Sequence, residues 1–186
     1  MDALTALHTR VSTPRLGGEP PDEKELENLF KAALRAPDHA LLRPWRFLLV
    51  RGESRKRLGE LFADAQLADD DATSEAALEK TRNKPLRAPL IVVVIACIQP
   101  HPKVPDVEQL ISAGAAAHAM LIAAHAQGIG AMWRTGGMAY HPYVMQGLGL
   151  AASERIVGYL YVGRVEGKVR ELVPLPVEEF VTEWTA

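Results

Sequence analysis

Hydrophobic residues near the start of the chain recur at helical spacing and predict two amphipathic helices with an irregular segment between them. The first helix is short and covers about residues 3–10. Residues 12–21 contain adjacent glycines and three prolines, which predicts no regular structure. Asp22, with Glu25 three residues later, has the pattern of a capping box at the start of the second helix. Pro37 is expected to end that helix.

Compact apolar runs further along predict the strands of a sheet. The runs cover residues 45–50, 90–98 and 154–163, and a shorter one covers residues 131–134. The second run is rich in β-branched residues and lacks alternation with polar ones. We therefore expect it at the centre of the sheet, covered on both faces.

Two further helices are predicted from capping residues and apolar spacing. Ser54 is expected to be the N-cap of a helix that points Leu58 and Phe62 inward. Pro142 suits the first turn of a small helix, which the glycines at 147 and 149 are expected to end.

The longest predicted helix covers residues 108–127 and measures about 30 Å at 1.5 Å per residue. It is apolar on nearly every side, which is compatible with a membrane span or with burial in protein. Ser112, His118 and His125 interrupt it, and alanine contributes little to membrane insertion. We predict a fully buried helix whose small residues let other helices approach, in the core or across a subunit interface.

The remaining pattern concerns the C-terminal tail, residues 174–186. It is expected to be strand-like at Phe180 and Val181, and to carry Trp184 against a partner subunit. The order of helices and strands, without a separating linker, predicts one α+β domain over residues 1–186, with helices packed on a central sheet.

Composition excludes several classes of protein. The 186 residues are 48% hydrophobic and 24% charged, which is typical of a globular chain. The net charge of −2 does not provide the basic surplus expected for nucleic-acid binding. Cys97 is the one cysteine, and the N-terminus does not resemble a signal peptide. These features predict a cytoplasmic protein that acts neither on nucleic acid nor in a membrane.

Motifs for metal and nucleophilic chemistry are missing from the sequence. His118 and His125 are seven residues apart on one helix, about 10.5 Å, which is too far for one ion. We therefore predict no protein-bound metal. There is no G-x-S-x-G nucleophile motif. Gly128 and Gly130 follow a helix instead of opening one, so they do not form a dinucleotide fingerprint.

Cations and small polar residues stand at the ends of the predicted elements. They are Arg10, Ser12, Arg35, His39, Arg134, Thr135, Lys168 and Arg170. In a chain without a basic surplus, this placement suits a phosphorylated ligand, because arginine and serine form charge-assisted bonds to phosphate oxygens. The alternative is that each is a surface charge favoured by a helix dipole.

Four segments, taken together, resemble the FMN-dependent nitroreductase family, most closely its small, lid-poor YdjA-type branch. In order along the chain they are R-V-S-T-P-R-L (10–16), R-A-P-D-H followed by R-P-W-R-F (35–47), A-Q-G-I-G followed by W-R-T-G (126–136), and I-V-G-Y-L-Y-V-G (156–163). The similarity extends over nearly the whole chain.

The resemblance implies a nitroreductase-like α+β sandwich with a mixed or antiparallel central sheet. It also implies an intertwined homodimer built on the long helices, with C-terminal segments that embrace the partner and two FMN molecules at the subunit interface. No side chain is expected to be catalytic in its own right, because FMN carries the chemistry.

The resemblance also implies cofactor-binding residues by position. Arg10 and Ser12 are expected to hold the phosphate and ribityl chain, with Val11 contributing only backbone and Lys168 a further phosphate contact. Arg35 and His39 are expected to reach the flavin of the other subunit. Trp133, Arg134 and Thr135 are expected to line the same cofactor. A nicotinamide-contacting stretch falls on a helix end that the pattern buries: Ala123, Ala124, His125, Ala126, Gln127 and Gly128.

The sequence departs from the family pattern at three positions. Val11 replaces the usual second arginine, and Pro14 stands where many relatives have a cation. Arg15 is the expected substitute near the ring system, with Lys84 and Arg87 as other candidates. Arg43 replaces the glutamine before Pro44-Trp45 and puts a charge near the mouth of the expected pocket.

The resemblance implies an NAD(P)H oxidoreductase that reduces nitroaromatic, quinone or related small acceptors by ping-pong hydride transfer through flavin N5. Other flavin reactions, such as reductive dehalogenation or ring fragmentation, remain open on this fold. An FMN carrier or sensor without reductase activity would share the same cofactor residues. A purely structural or interaction protein would explain the alanine-rich helix but not the cations.

Overall fold

The computed structural model describes residues 1–185 and contains six α-helices and five strands in that range. The helices are α1 (Ala3–Thr9), α2 (Glu23–Ala33), α3 (Ser54–Asp69), α4 (Glu75–Arg82), α5 (Asp106–Ala126) and α6 (Pro142–Gly147). The strands are β1 (Leu16–Gly17), β2 (Trp45–Arg51), β3 (Leu90–Cys97), β4 (Gly130–Arg134) and β5 (Glu154–Val165). Ala186, the last residue of the predicted domain and tail, lies outside the described range.

The strands form one sheet in which every pairing is antiparallel. β3 lies between β2 and β5, and the other edge of β5 pairs first with β4 and then, at its end, with the short β1. The predicted central position of β3 is therefore confirmed. All of its residues from Leu90 to Ala96 are buried, as expected for a strand covered on both faces.

Two helical layers cover the sheet. The side chains of α2 and α5 pack on one face, against Leu90, Val92 and Val94 of β3. The side chains of α3 and α6 pack on the other face, against Ile91 and Val93. Helices on both sides of an antiparallel sheet confirm the predicted α+β class.

Helix capping agrees with the sequence at one helix and differs at another. The capping box of α2 is present: the Asp22 carboxylate accepts from Glu25 N at 2.7 Å, and the Glu25 carboxylate accepts from Asp22 N at 2.8 Å. The prediction that Ser54 caps α3 is wrong. Ser54 is the first helical residue and Glu53 is the N-cap, without a capping side-chain hydrogen bond.

The long helix is only partly buried within a single chain, so the predicted burial of all its sides would require a subunit interface. The small residues Ala113 and Ala116 face the sheet and are fully buried. On the opposite side of α5, Val107, Leu110 and Ile111 are 59%, 42% and 65% exposed. By length and composition α5 could cross a membrane, and 44% of its most apolar window is buried inside the chain. The exposed apolar side is available to a partner.

Two predictions about irregular and strand-like segments are also wrong. Residues 12–21 include the short strand β1, because Leu16 and Gly17 pair with the end of β5. The tail forms one 3-10 turn, Val177–Glu179, and no strand within the described residues. Phe180 and Trp184 are 69% and 88% exposed, so the rest of the described chain does not cover these side chains.

Gly59 allows α3 and α4 to approach closely, and we expect Gly59→Ala to destabilise the fold. A Cβ at this position would lie 2.2 Å from the carbonyl oxygen of Arg82, a backbone atom that cannot rotate away. We expect a loss of about 1–3 kcal/mol in the free energy of unfolding, measured by urea denaturation. Gly114→Ala is the matched control, because its Cβ would have nothing closer than 4.0 Å. Equal stability of the two variants would contradict the prediction.

Candidate functional site

A cavity of about 410 Å³ on the α3 side of the sheet collects three cationic side chains. Lys84 and Arg87 come from the 3-10 turn between α4 and β3, and Arg134 is the last residue of β4. Among the described residues, no carboxylate lines it. We call it the cation cavity. Its concentration of positive charge favours an anionic or electron-rich ligand.

The electrostatics of the cation cavity also indicate a ligand site. Burial, together with the nearby charges of Arg87 and Lys80, lowers the pKa of Lys84. The guanidinium carbon of Arg134 lies 5.4 Å from the centre of the Tyr161 ring, which is a cation–π distance. The Nε of Arg134 is buried and has no hydrogen-bond partner within residues 1–185. An unpaired buried donor is unfavourable, so a ligand that offers an acceptor there would stabilise the protein.

Two tyrosines from β5 form one wall of the cation cavity. Tyr159 and Tyr161 occupy alternate positions of the strand, so their side chains lie on the same face of the sheet. Burial raises the pKa of both phenols. The Tyr159 hydroxyl donates to the carbonyl of Met138 at 2.9 Å and ties the loop after β4 to the sheet. This wall is therefore uncharged and aromatic.

Trp133 connects the cation cavity with a groove of about 640 Å³ on the α5 side. Its indole Nε1 donates to the carbonyl of Val157 at 3.3 Å. A Cβ on Gly158 would lie 2.1 Å from this nitrogen, so the glycine makes room for the indole. The groove continues along the exposed apolar residues Leu110 and Ile111 of α5.

A second cavity, of about 220 Å³, lies at the other end of β4 and contains Arg10 and Val11. The segment that carries them is held against β4, because Thr13 N donates to the carbonyl of Ala131 at 3.0 Å. Ala131 lines this Arg10 cavity and Arg134 the cation cavity. Three residues of strand separate the two positions by about 10 Å. The side chains of Ala131 and Arg134 lie on opposite faces of the sheet, so a ligand that reaches both cavities would have to pass around the edge of β4 that pairs with no other described strand.

Neither Arg35 nor His39 lines either of these two cavities within one chain. His39 Nδ1 is 2.8 Å from a carboxylate oxygen of Glu108, in the first turn of α5. Arg10 shares its cavity with His125, in the last turn of the same helix. The 17 residues from Glu108 to His125 measure about 25 Å along the helix. A single chain therefore does not bring all the predicted cofactor residues together.

The stretch predicted to contact nicotinamide is largely engaged within the chain. Ala124 is buried against the sheet, and His125 Nε2 is 2.9 Å from Thr9 Oγ1. Gln127 accepts from Asn28 Nδ2 at 2.7 Å and donates to the carbonyl of Ala123 at 3.1 Å. His125 and Gly128 line the Arg10 cavity, whereas Ala126 is exposed without lining it. The nicotinamide role of the stretch stays a prediction.

The other predicted residues occupy exposed positions near the sheet edge. Ser12 and Arg15 are exposed, and the Arg15 carbonyl accepts from Glu166 N at 3.1 Å. Lys168 is exposed three residues after the end of β5. The next residue, Val169, lines the Arg10 cavity. Thr135 lines the cation cavity beside Gly136, where a Cβ would meet nothing within 4 Å. The loop backbone after β4 is therefore open to a ligand.

Sequence reasoning named Lys84 and Arg87 only as alternatives to Arg15, and it missed the tyrosine wall. The signal for Tyr159 and Tyr161 was present in their alternation along an otherwise aliphatic strand. Arg134 lies opposite Tyr159 in the β4–β5 register, a pairing that only the fold reveals. For metals, the described residues contain no group of three or more His, Cys, Asp or Glu side chains that could hold an ion.

Comparison with known proteins identifies the family to which this arrangement belongs. The family model described as "Nitroreductase family" matches residues 7–164, most of the chain. The chain belongs to the nitroreductase family. It is 39% identical over 176 residues to the Escherichia coli K12 protein named "Putative NAD(P)H nitroreductase YdjA", and the match covers 95% of each chain.

Solved structures show the same fold. A nitroreductase-like family protein from Bacillus cereus superimposes with a TM-score of 0.83 at 24% identity, over 98% of this chain and 95% of that one. A protein from Desulfovibrio desulfuricans, solved in complex with FMN, superimposes with a TM-score of 0.74 at 21% identity, over 100% and 99%. The predicted fold class and family are therefore confirmed. The expected oxidoreductase class is also confirmed for the family, as are FMN and NAD(P)H as its cofactors.

Proposed function

We propose that this chain is an FMN-dependent NAD(P)H oxidoreductase that reduces nitroaromatic, quinone or related small acceptors. The cation cavity is the observation that supports this proposal most strongly, because three cationic side chains line it and no carboxylate does. The isoalloxazine ring has an electron-rich edge at N1 and the C2 carbonyl, and negative charge accumulates there when the ring is reduced. Cations held at that edge stabilise the charge.

The residues present fit FMN. Arg134 offers a buried Nε donor that has no partner among residues 1–185, and a ring carbonyl is a suitable acceptor for it. Lys84 and Arg87 supply further positive charge, while Tyr159 and Tyr161 offer an aromatic wall. When bound, FMN supplies two-electron redox chemistry between NAD(P)H and the acceptor, so the chain needs no nucleophile.

The phosphate end of the cofactor is expected in the Arg10 cavity. Arg10 would bind the phosphate, with Ser12 and Lys168 close by on the same edge of the sheet. Val11 lines the same cavity and offers only its backbone for polar contact. The roughly 10 Å that separates Ala131 and Arg134 along β4 is within the reach of the ribityl chain that joins phosphate and ring.

A homodimer would complete each site. His39 lies at the opposite end of α5 from Arg10, and Arg35 precedes it by four residues. If the α5 helices of two copies pack antiparallel through their exposed side, Val107, Leu110 and Ile111 become buried, and the His39 end of one copy meets the Arg10 end of the other. The exposed tail supplies additional apolar surface for the partner. We also propose that NAD(P)H reduces the bound flavin and that the protein acts in the cytoplasm.

The first experiment is a spectrum of the purified protein with added FMN, followed by NAD(P)H and then a nitroaromatic or quinone. We expect flavin absorption that bleaches with NAD(P)H and returns with the acceptor. Protein that binds no FMN would contradict the proposal. Protein that binds FMN but turns over no acceptor would instead be a flavin carrier or sensor.

Lys84→Met is expected to weaken FMN binding by about 10- to 100-fold, because a charge-assisted contact contributes about 1.5–3 kcal/mol. The loss of a cation at the ring should also make the flavin reduction potential more negative. Lys80→Met is the matched control: it removes the same charge from the exposed surface of α4, outside the cation cavity. Equal FMN affinities of the two variants, measured by fluorescence titration, would show that Lys84 does not contact the cofactor.

A further inference from the structure

A strained segment follows His39 directly. Ala40, Leu41 and Arg43 have φ angles of 61°, 55° and 48°, the left-handed region that residues other than glycine rarely adopt. Three such residues within four positions are unusual, and strain of this kind persists only where the surrounding structure enforces it. Such segments are common where a protein must present side chains in one fixed direction.

Hydrogen bonds hold this segment at several points. The Asp38 carboxylate accepts from Arg43 N at 2.6 Å, and the Leu42 carbonyl accepts from Gln99 Nε2 at 3.1 Å. The following Pro44 is fully buried, and its carbonyl accepts from Cys97 N at 3.0 Å. Leu41, in contrast, is 76% exposed, and the Arg43 side chain is also exposed. The backbone is therefore fixed while two side chains point into solvent.

Asp38 and Arg43 carry opposite charges on this segment, and their side chains do not pair with each other. Within residues 1–185 the Arg43 guanidinium forms no ion pair, and its backbone, not its side chain, contacts Asp38. The carboxylate of Glu108 is paired with His39. An anion that approaches the segment would therefore meet an unneutralised guanidinium, which can bind a carboxylate through two parallel hydrogen bonds.

We infer that Arg43 is a specificity-determining residue that selects aromatic electron acceptors carrying a carboxylate. The inference rests on the proposed function, because the His39 end of one copy is then placed at the cofactor of the other. Leu41 would pack on the aromatic ring of the acceptor, and Arg43 would pair with its carboxylate. The strain in the backbone fixes the position of both side chains before the acceptor binds, which reduces the entropy lost on binding.

The test compares ligands that differ in charge and hardly in shape. Benzoate and benzamide are titrated into the oxidised, FMN-loaded protein, and binding is read from the shift of the flavin absorption bands. We expect benzoate to bind at least about tenfold more tightly than benzamide. The same preference is expected in kcat/KM for 4-nitrobenzoate over 4-nitrobenzamide, and it should decrease at high ionic strength.

Arg43→Gln is expected to abolish the preference, and Arg43→Lys to keep much of it. Arg51→Gln, which removes an exposed cation from the far end of β2, should leave it unchanged. FMN affinity and thermal stability, measured on each variant, show whether Arg43→Gln remains folded and loaded. A wild-type protein without charge preference, or an Arg43→Gln variant that retains it, would overturn the inference. Failure to bind FMN at all would instead contradict the proposed function.

Discussion

A heterodimer of an Arg10→Ala chain and an Arg35→Ala chain is expected to bind one FMN, although each variant alone binds little. In the proposed dimer, each site takes Arg10 from one copy and Arg35 from the other, because Arg10 lies at one end of α5 and His39, four residues after Arg35, lies at the other. The heterodimer then contains one site with both arginines and one site with neither. Loss of one charge-assisted contact to FMN is expected to weaken each altered site by about 10- to 100-fold.

The matched control carries the same two substitutions in a different arrangement. A chain with both Arg10→Ala and Arg35→Ala, paired with an unaltered chain, gives two sites with one defect each and no intact site. The two heterodimers, purified with different affinity tags, are compared by the amount of FMN bound at a concentration that saturates only intact sites. Equal FMN content in the two heterodimers would show that the arginines do not meet across the interface.

Acid is expected to destabilise the protein through Glu154. This carboxylate accepts from Arg46 Nε at 2.5 Å and Nη2 at 2.7 Å, and from Ala151 N at 2.8 Å. The Cys97 thiol donates to it as well, at 3.3 Å, and burial raises the pKa of that thiol to about 11. The Arg46 bond is the main reason that the pKa of Glu154 falls from 4.5 to about 2.

The direction of the pH effect follows from this lowered pKa. A carboxylate with a lower pKa in the folded state adds stability that is fully present above pH 4.5 and is lost as the pH falls toward 2. The shift corresponds to about 2–3 kcal/mol, allowing for partial exposure of Arg46. Glu154→Gln should therefore lose about this amount at pH 7, measured by urea denaturation, and the difference from the unaltered protein should shrink as the pH falls.

Glu27→Gln is the control for this prediction. Glu27 also pairs with a cation, Lys31 at 2.8 Å, but both side chains are exposed, so solvent screens the pair. We expect little change in stability at any pH for this variant. A stability difference between Glu154→Gln and the unaltered protein that stays constant from pH 7 to pH 3 would contradict the assigned role of Glu154.

Local signals in the sequence predicted most of the elements correctly. The capping box at Asp22 depends only on residues three positions apart, so the sequence predicts it directly. The β-branched run of β3 reflects burial on both faces, which the sequence also indicates directly. The start of α3 was misassigned because Glu53, not Ser54, follows the tight turn at Gly52, whose φ is +57°. Gly52 therefore positions the helix entry, and the preference of serine for N-caps does not decide it.

The candidate site shows a sharper division between sequence and fold. Motifs in the sequence were enough to indicate the family and the cations expected around a phosphorylated ligand. Lys84 and Arg134 line one cavity because of long-range strand pairing. Lys84 precedes β3 and Arg134 ends β4, and these two strands both pair with β5. The spacing of residues along the chain does not predict that Lys84 and Arg134 lie close together.

The two ends of α5 illustrate the same principle on a larger scale. Its apolar composition predicts a helix that protein must cover, because burial of apolar surface is favourable whatever covers it. Composition does not specify the cover, and the pattern left open whether the core or a partner subunit provides it. The tertiary structure decided that the sheet takes the alanine side, that Val107 and Ile111 stay exposed, and that Arg10 and His39 lie near opposite ends of the helix. Amino-acid type thus determined which segments form helices or strands and which of their sides must be buried. The packing of distant segments decided where the parts of the site come together.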